Sequence, residues 1–144
     1  MDIKVKRLTN TAVIPERGSK YSAGFDLSAD IDKSFLIRPH TTVKIPTGLA
    51  FELPEGYFGA IYARSGLATK QGLRPANAVG VADCDYRGEY MVALYNDSDE
   101  TRCIEPGQRI AQLVIQPYLS CNLLSSDDLS NTERGTGGFG STGK

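Results

Sequence analysis

The stretch from Val43 to Ala63, VKIPTGLAFELPEGYFGAIYA, decides the fold. It holds three short apolar runs, Val43-Lys44-Ile45, Leu49 to Leu53 and Tyr57 to Ala63, cut apart by Pro46-Thr47-Gly48 and Pro54-Glu55-Gly56. Proline removes a ladder donor and glycine permits a tight reversal, so runs this short between such residues read as strands. The rhythm continues on both sides. Ile3 to Arg7 alternates like an edge strand whose lysines discourage edge-to-edge pairing. Ala23 to Ala29 sets Phe25 and Leu27 on one face and Asp26 on the other, and Phe35-Leu36-Ile37 is closed by Arg38-Pro39. Glu89 to Tyr95 and Ile110 to Leu119 complete the series, and only Leu67 to Gly72 suggests a short helix, ended by Gly72. Strands about ten residues apart with no long helical period predict an all-β chain, a β-sandwich or barrel.

A chain of 144 residues is long enough for one domain with a real core. From Asn131 the composition changes: NTERGTGGFGSTGK has five glycines and one large apolar residue, Phe139. Such a segment cannot bury enough surface to order itself, so residues 1–130 are expected to form the domain and 131–144 a flexible arm. Sixteen basic against 17 acidic side chains leave a net charge of −1, which gives no footprint for nucleic acid. No apolar run approaches the ~20 residues of a membrane span, and MDIKVKRL lacks the apolar core of a signal peptide. Cys84, Cys103 and Cys121 form no CxxC pair, and His40 is the only histidine. The cysteines' odd number and wide spacing argue against a disulfide framework or zinc site, and a histidine-based triad or multi-histidine metal site is excluded. The expectation is a cytoplasmic protein whose chemistry uses carboxylates, arginines and backbone.

Asn77 to Met91, NAVGVADCDYRGEYM, has the most concentrated polar chemistry. Val79/Val81 and Tyr90/Val92 flank a tip of Asp83-Cys84-Asp85-Tyr86-Arg87-Gly88, which reads as a β-hairpin with more carboxylate than a turn needs. Arg64-Ser65-Gly66 combines a guanidinium, a hydroxyl and a glycine that lets a ligand approach the backbone. The tail resembles the phosphate-loop pattern only up to Lys144, where the chain stops. Without a preceding strand and a following helix it is not an ordinary P-loop. Its glycines, Arg134, Ser141 and Thr142 still favour anions, and Phe139 offers a flat face to a base.

Five ordered stretches, AGFDLSAD (Ala23 to Asp30), ARSGLA (Ala63 to Ala68), NAVGVADCDYRGE (Asn77 to Glu89), GQRIAQL (Gly107 to Leu113) and RGTGGFGSTG (Arg134 to Gly143), resemble the five motifs of the trimeric dUTPase family. The resemblance implies a β-sandwich-like jelly roll with at most one short helix. It implies Mg²⁺-dependent hydrolysis of dUTP to dUMP and pyrophosphate by water attack at the α-phosphorus, which keeps uracil out of DNA and supplies dUMP for dTMP synthesis. It further implies a homotrimer in which one subunit gives the uracil hairpin, a second the phosphate contacts and a third the C-terminal tail.

Residue by residue, the resemblance makes Asp83 the carboxylate that orients the attacking water. Asn77, with the backbone around Gly80, Val81 and Ala82, would match the uracil edge, Tyr86 would pack on the deoxyribose and Met91 would line the same pocket. Arg64, Ser65, Gly66 and Gln112 would hold the α- and β-phosphates. Arg134, Ser141 and Thr142 would contact the γ-phosphate, while Phe139, followed by Gly140, would cap the base. Asp26 would serve Mg²⁺ through water only. One departure stands out: Ala82 occupies the position before Asp83, where the family usually has a bulky aliphatic residue, which puts the tightness of uracil selection in question. A dCTP deaminase of the same fold and a dUTP-sensing regulatory protein are the alternatives.

Overall fold

The computed structural model describes residues 1–138. Eleven strands and one helix follow one another among them: β1 Lys4–Arg7, β2 Gly24–Ser28, β3 Phe35–Ile37, β4 Thr42–Ile45, β5 Leu49–Glu52, β6 Tyr57–Tyr62, α1 Ser65–Gln71, β7 Leu73–Pro75, β8 Gly80–Ala82, β9 Val92–Asn96, β10 Arg102–Ile104 and β11 Arg109–Pro117. The all-β expectation holds. The three runs of the deciding stretch become β4, β5 and β6, yet no two of them pair. β4 joins a three-stranded sheet in the order β4-β9-β7, β5 pairs with β1, and β6 enters a four-stranded sheet in the order β2-β11-β6-β8. The Pro/Gly reversals carry the chain from sheet to sheet. Gly48 shows why glycine is needed at one of them: its φ is +65°, and a Cβ would lie 2.7 Å from the Ala12 Cβ.

All the sheets share one core, in which Leu27, Ile37, Ile45, Leu49, Ile61, Leu94, Ile104 and Leu113 are buried together. Every strand pair is antiparallel. β3 pairs with β10, and the buried Asn96 ties that pair to β9. Its amide nitrogen donates to the Ile37 carbonyl at 3.0 Å and the Glu100 carbonyl at 2.7 Å, while its oxygen accepts from the Ser98 N–H and hydroxyl.

The expected hairpin needs correction. Its two arms do not pair with each other: β8 lies beside β6, whereas β9 lies between β4 and β7. The true hairpin partners are β7 and β9, with Leu73 opposite Asn96 and the Ala76 N–H reaching the Ala93 carbonyl at 2.7 Å. The first arm peels away after Pro75. There Ala78 turns the chain at a φ of +62°, inside an Asn77 carbonyl to Val79 N–H bond of 2.7 Å. That i to i+2 closure is a γ-turn, and a non-glycine residue at positive φ carries strain.

The helix also begins earlier than expected, at Ser65 instead of Leu67, so Ser65 and Gly66 form its first turn. Gly72 ends it in the left-handed conformation, as expected, with φ +68°. After Pro117 the described chain holds no strand or helix, and Leu119, Leu123, Leu124 and Leu129 lie almost fully exposed. No helix among the described residues is long and apolar enough to cross a membrane.

Candidate active site

The loop that crosses between the sheets, residues 83–91, covers a cavity of about 340 Å³. Asn77, Gly80, Val81, Ala82, Asp83, Tyr86 and Met91 all line it, so the six residues expected around a base and its sugar come together with Asp83. The loop is pinned from below by the Pro46-Thr47-Gly48 reversal. The Gly48 N–H donates to the Glu89 carboxylate at 2.8 Å, the Thr47 hydroxyl to the Tyr90 carbonyl at 2.6 Å, and the Tyr90 N–H to the Leu49 carbonyl at 2.8 Å. Tyr86 is held from several sides. Its hydroxyl donates to the Glu89 carbonyl at 3.1 Å, and its ring crosses Gly88 so closely that a Cβ there would stand 2.6 Å from the Tyr86 Cζ. Gly80 is tightly placed as well: a Cβ would lie 3.1 Å from the Ile61 Cβ and 3.3 Å from the Asn77 amide nitrogen, so a neighbour would have to give. Polar groups held this firmly are preorganised to read a flat, polar-edged ligand.

The second group sits at the other end of β6. Asp26 on β2 lies opposite Gln112 on β11, which lies opposite Tyr62 on β6, and Arg64 follows Tyr62 by two residues. Side chains alternate along strands, so these residues share a face. Arg109 would fall on the opposite face from Gln112 by simple alternation. An irregularity between Arg109 and Ala111 removes that mismatch, and Ile110 and Ala111 are buried in succession. Asp26 consequently accepts from two arginines: Arg64 Nε reaches Oδ1 at 2.8 Å and Arg109 Nη1 reaches Oδ2 at 3.0 Å. Two guanidinium groups on one carboxylate leave a net positive cluster, which suits a polyanion. The Gln112 amide donates to the Ala63 carbonyl at 2.9 Å, fixing the chain just before Arg64.

At the start of α1, the first backbone bond is donated by Ala68 to the Arg64 carbonyl, so the N–H groups of Ser65, Gly66 and Leu67 precede the helical ladder. Nothing lies within 4 Å of where a Cβ on Gly66 would be, and its φ is not positive. The fold itself does not need a glycine there, though helical glycine costs about 0.5–1 kcal/mol relative to alanine. That cost is explained if something outside this chain approaches the backbone at Gly66.

The two groups do not meet within one chain. Gly59 is opposite Ala82, so Asp83 falls beside Phe58, and the extended chain from Phe58 through the end of β6 at Tyr62 to Arg64 spans roughly 20 Å at ~3.3 Å per residue. Arg64, Ser65, Gly66, Gln112 and Asp26 stand apart from the cavity of Asp83. Arg134 joins neither group; its Nε donates to the Gly137 carbonyl at 2.8 Å. Phe139, Gly140, Ser141 and Thr142 lie outside the described residues.

Sequence reasoning missed Lys44, Glu89 and Tyr90, which line the cavity, and Arg109, which holds Asp26. No local signal marks Lys44, which comes from β4 on the adjoining sheet. Arg109 lay inside the quoted GQRIAQL, but its face depends on a register irregularity that spacing does not reveal.

An all-β chain that pairs a carboxylate-rimmed cavity with a separate arginine cluster suits a ligand with one uncharged end and one anionic end. A family model described as dUTPase matches residues 10–143. The deoxyuridine 5'-triphosphate nucleotidohydrolase of Desulfitobacterium hafniense is 48% identical over 146 residues, covering 98% of this chain and 97% of that protein. Among solved structures, a mutant dUTPase of Staphylococcus bacteriophage 80alpha with dUpNHpp superposes with a TM-score of 0.88 at 31% identity, over 99% of both chains. A mutant dUTPase from phage phi11 of S. aureus, described with a structural Mg(II) ion, superposes with a TM-score of 0.78 at 27% identity, over 89% of this chain and 98% of that one. The chain belongs to the dUTPase family.

Proposed function

We propose that this chain is a dUTP diphosphatase, converting dUTP and water to dUMP and pyrophosphate. The observation that carries the reading is the cavity, where Asn77, the Gly80–Ala82 backbone, Tyr86 and Asp83 converge in a chain of this family. In the proposed mechanism the Asn77 amide and the β8 backbone hydrogen-bond the uracil edge. A site built on such bonds rejects a mismatched edge by up to about 10⁴–10⁵. Tyr86 packs where a ribose 2′-hydroxyl would sit. Asp83 accepts a hydrogen bond from water and directs its oxygen at the α-phosphorus. That oxygen bonds to phosphorus as the bond to the bridging oxygen breaks; pyrophosphate leaves with the bridging oxygen, and the water's proton passes by way of Asp83 to solvent. Arg64, Ser65, Gly66 and Gln112 hold the phosphates, so the protein contributes positioning and charge stabilisation.

The separation of about 20 Å between Asp83 and Arg64 supports a site shared between subunits, and the trimer is part of the proposal. The Gly-rich arm, residues 131–144, then closes over a neighbouring site, with Arg134, Ser141 and Thr142 at the γ-phosphate and Phe139 over the base. Among the described residues no three His, Cys, Asp or Glu side chains converge as a cage for a metal. Asp26 alone, beside the arginine cluster, fits an ion held mainly by phosphates and water, as Mg²⁺ commonly is. When bound, Mg²⁺ would neutralise phosphate charge, with Asp26 acting through water.

A panel of dUTP, dTTP, dCTP and UTP with Mg²⁺, read out as pyrophosphate, tests the reading. Release from dUTP alone is expected, and Asp83→Asn should bind nucleotide while losing nearly all turnover. Binding of dUTP by the wild type without pyrophosphate release would favour a sensing protein, and ammonia from dCTP would favour a deaminase.

A further inference from the structure

The largest wholly buried side chain among the described residues is not aliphatic: it is Tyr90, in the loop over the cavity. Its ring packs on Phe51, with centroids 4.6 Å apart, and on Tyr86 at 5.9 Å. The room for it comes from two small residues. Gly59 and Ala82 stand opposite each other on β6 and β8, so their Cβ positions point to the same face about 5 Å apart. A Cβ on Gly59 would already lie 3.4 Å from the Tyr90 Cε2 and 3.0 Å from the Leu113 Cδ1. Ala82 and Tyr90 both line the cavity. A glycine–alanine pair opposite the biggest buried ring is a complementary size exchange, and close-packed interiors keep such sets together.

We propose that Tyr90 is a specificity-determining positioning residue of the base cavity, whose ring fills the room left by Gly59 and Ala82 and braces Tyr86. This rests on the dUTP reading for the identity of the ligand. The small residue before Asp83 then does not loosen the pocket, because the Tyr90 ring takes up the room that residue leaves. The contribution is one of bulk. The Tyr90 hydroxyl is buried and finds no hydrogen-bond partner among the described residues, a condition that costs stability and is tolerated here with the ring.

The test is a double-mutant cycle of A82I and Y90V, with Y90L and Y90F beside it, read by Tm and by kcat/KM for dUTP, dTTP and UTP with Mg²⁺. A82I alone should lower Tm, since the added branches meet the ring. Y90V alone should lower Tm and raise the use of UTP and dTTP relative to dUTP by about tenfold or more, as Tyr86 loses its brace. The double variant should recover Tm and most of the discrimination, so that each change reverses sign in the presence of the other. Y90L, which leaves a smaller hole, should move the ratios in the same direction, so a failure of Y90V to fold does not end the test. Y90F should keep the discrimination with a Tm at or above wild type. Additive effects in the double variant, unaltered ratios in Y90L, or lost discrimination in Y90F would each overturn the proposal. Wild type that turns over none of the nucleotides overturns the dUTP reading and the specificity role with it. Wild type active on dUTP with an additive cycle overturns the role of Tyr90 alone.

Discussion

On the reading proposed above, Gly66 and Tyr90 are single residues that serve something other than their own local stability. Gly66 stands in the first turn of α1 with open space around it. Gly66→Ala should therefore stabilise the fold by up to about 1 kcal/mol, seen as a Tm raised by a few degrees. The added methyl would intrude on the phosphates, so KM for dUTP should rise at least several-fold in the same protein. A variant that gains stability and keeps its KM would show that nothing approaches Gly66. Tyr90 leads to a prediction about pH. Burial pushes its hydroxyl up to about 12 from an ordinary value of 10.0, against a smaller lowering by Arg87. The unfolded chain loses the proton near pH 10 while the folded chain retains it to about 12, so the unfolded state binds fewer protons in that window. The stability contributed by the neutral phenol is whole below pH 10 and falls as pH rises through about 12. Tyr90→Phe removes that share of the alkaline slope, which a Tm series from pH 8 to 11 on both proteins measures.

Strands as units were readable from the sequence, but the sheets they would join were not. The runs around Pro46-Thr47-Gly48 and Pro54-Glu55-Gly56 declare β4, β5 and β6 plainly, since alternation and turn chemistry are local properties. Their partners are set by which faces the core must bury, and that is a property of the whole chain. Hence the predicted pairing of Val79/Val81 with Tyr90/Val92 failed, although each arm does contain a strand. The sign of the failure was Ala78 at positive φ, where glycine would have advertised the turn. The same limit governs the site: Asp26, Arg64 and Gln112 were marked by type, while Arg109 reached the right face only through the irregularity in β11. Where separate strand pairs must be held to one core, a polar tie can matter as much as apolar area. Asn96 joins β9 to the end of β3 and to the turn at Ser98 and Glu100 through four hydrogen bonds, inside the core. Asn96→Ala strands the Ile37 carbonyl and the turn groups together, so a loss of about 3 kcal/mol or more is expected by denaturant titration. A loss under about 1 kcal/mol would mean that water replaces the amide freely.

At the scale of the molecule, the separation of the two half-sites dominates. A nucleotide whose α-phosphorus lies at Asp83 would not also reach Arg64 of the same chain if roughly 20 Å of extended chain lies between them. In the proposed trimer a second copy would supply the missing half without distortion, and Leu119, Leu123, Leu124 and Leu129 leave apolar surface exposed on the single chain. Closed symmetry in that trimer would make every interface equivalent, so that each active site borrows the same parts from the same neighbours. That arrangement is open to a direct test with two dead variants. Asp83→Asn removes the carboxylate proposed to orient water from one half-site, and Arg64→Ala removes the guanidinium from the other; each homo-oligomer should be nearly inactive. Unfolding and refolding the two together at equal amounts mixes the subunits. A site whose Asp83 comes from an Arg64→Ala subunit and whose Arg64 comes from an Asp83→Asn subunit is intact. Random mixing places about one quarter of the sites in that state. Recovery toward a quarter of wild-type turnover, dependent on refolding the variants together and absent when they are mixed already folded, is the expected outcome. If both residues acted within one chain, no mixture would contain an intact site, and co-refolded protein would be as inactive as its parents.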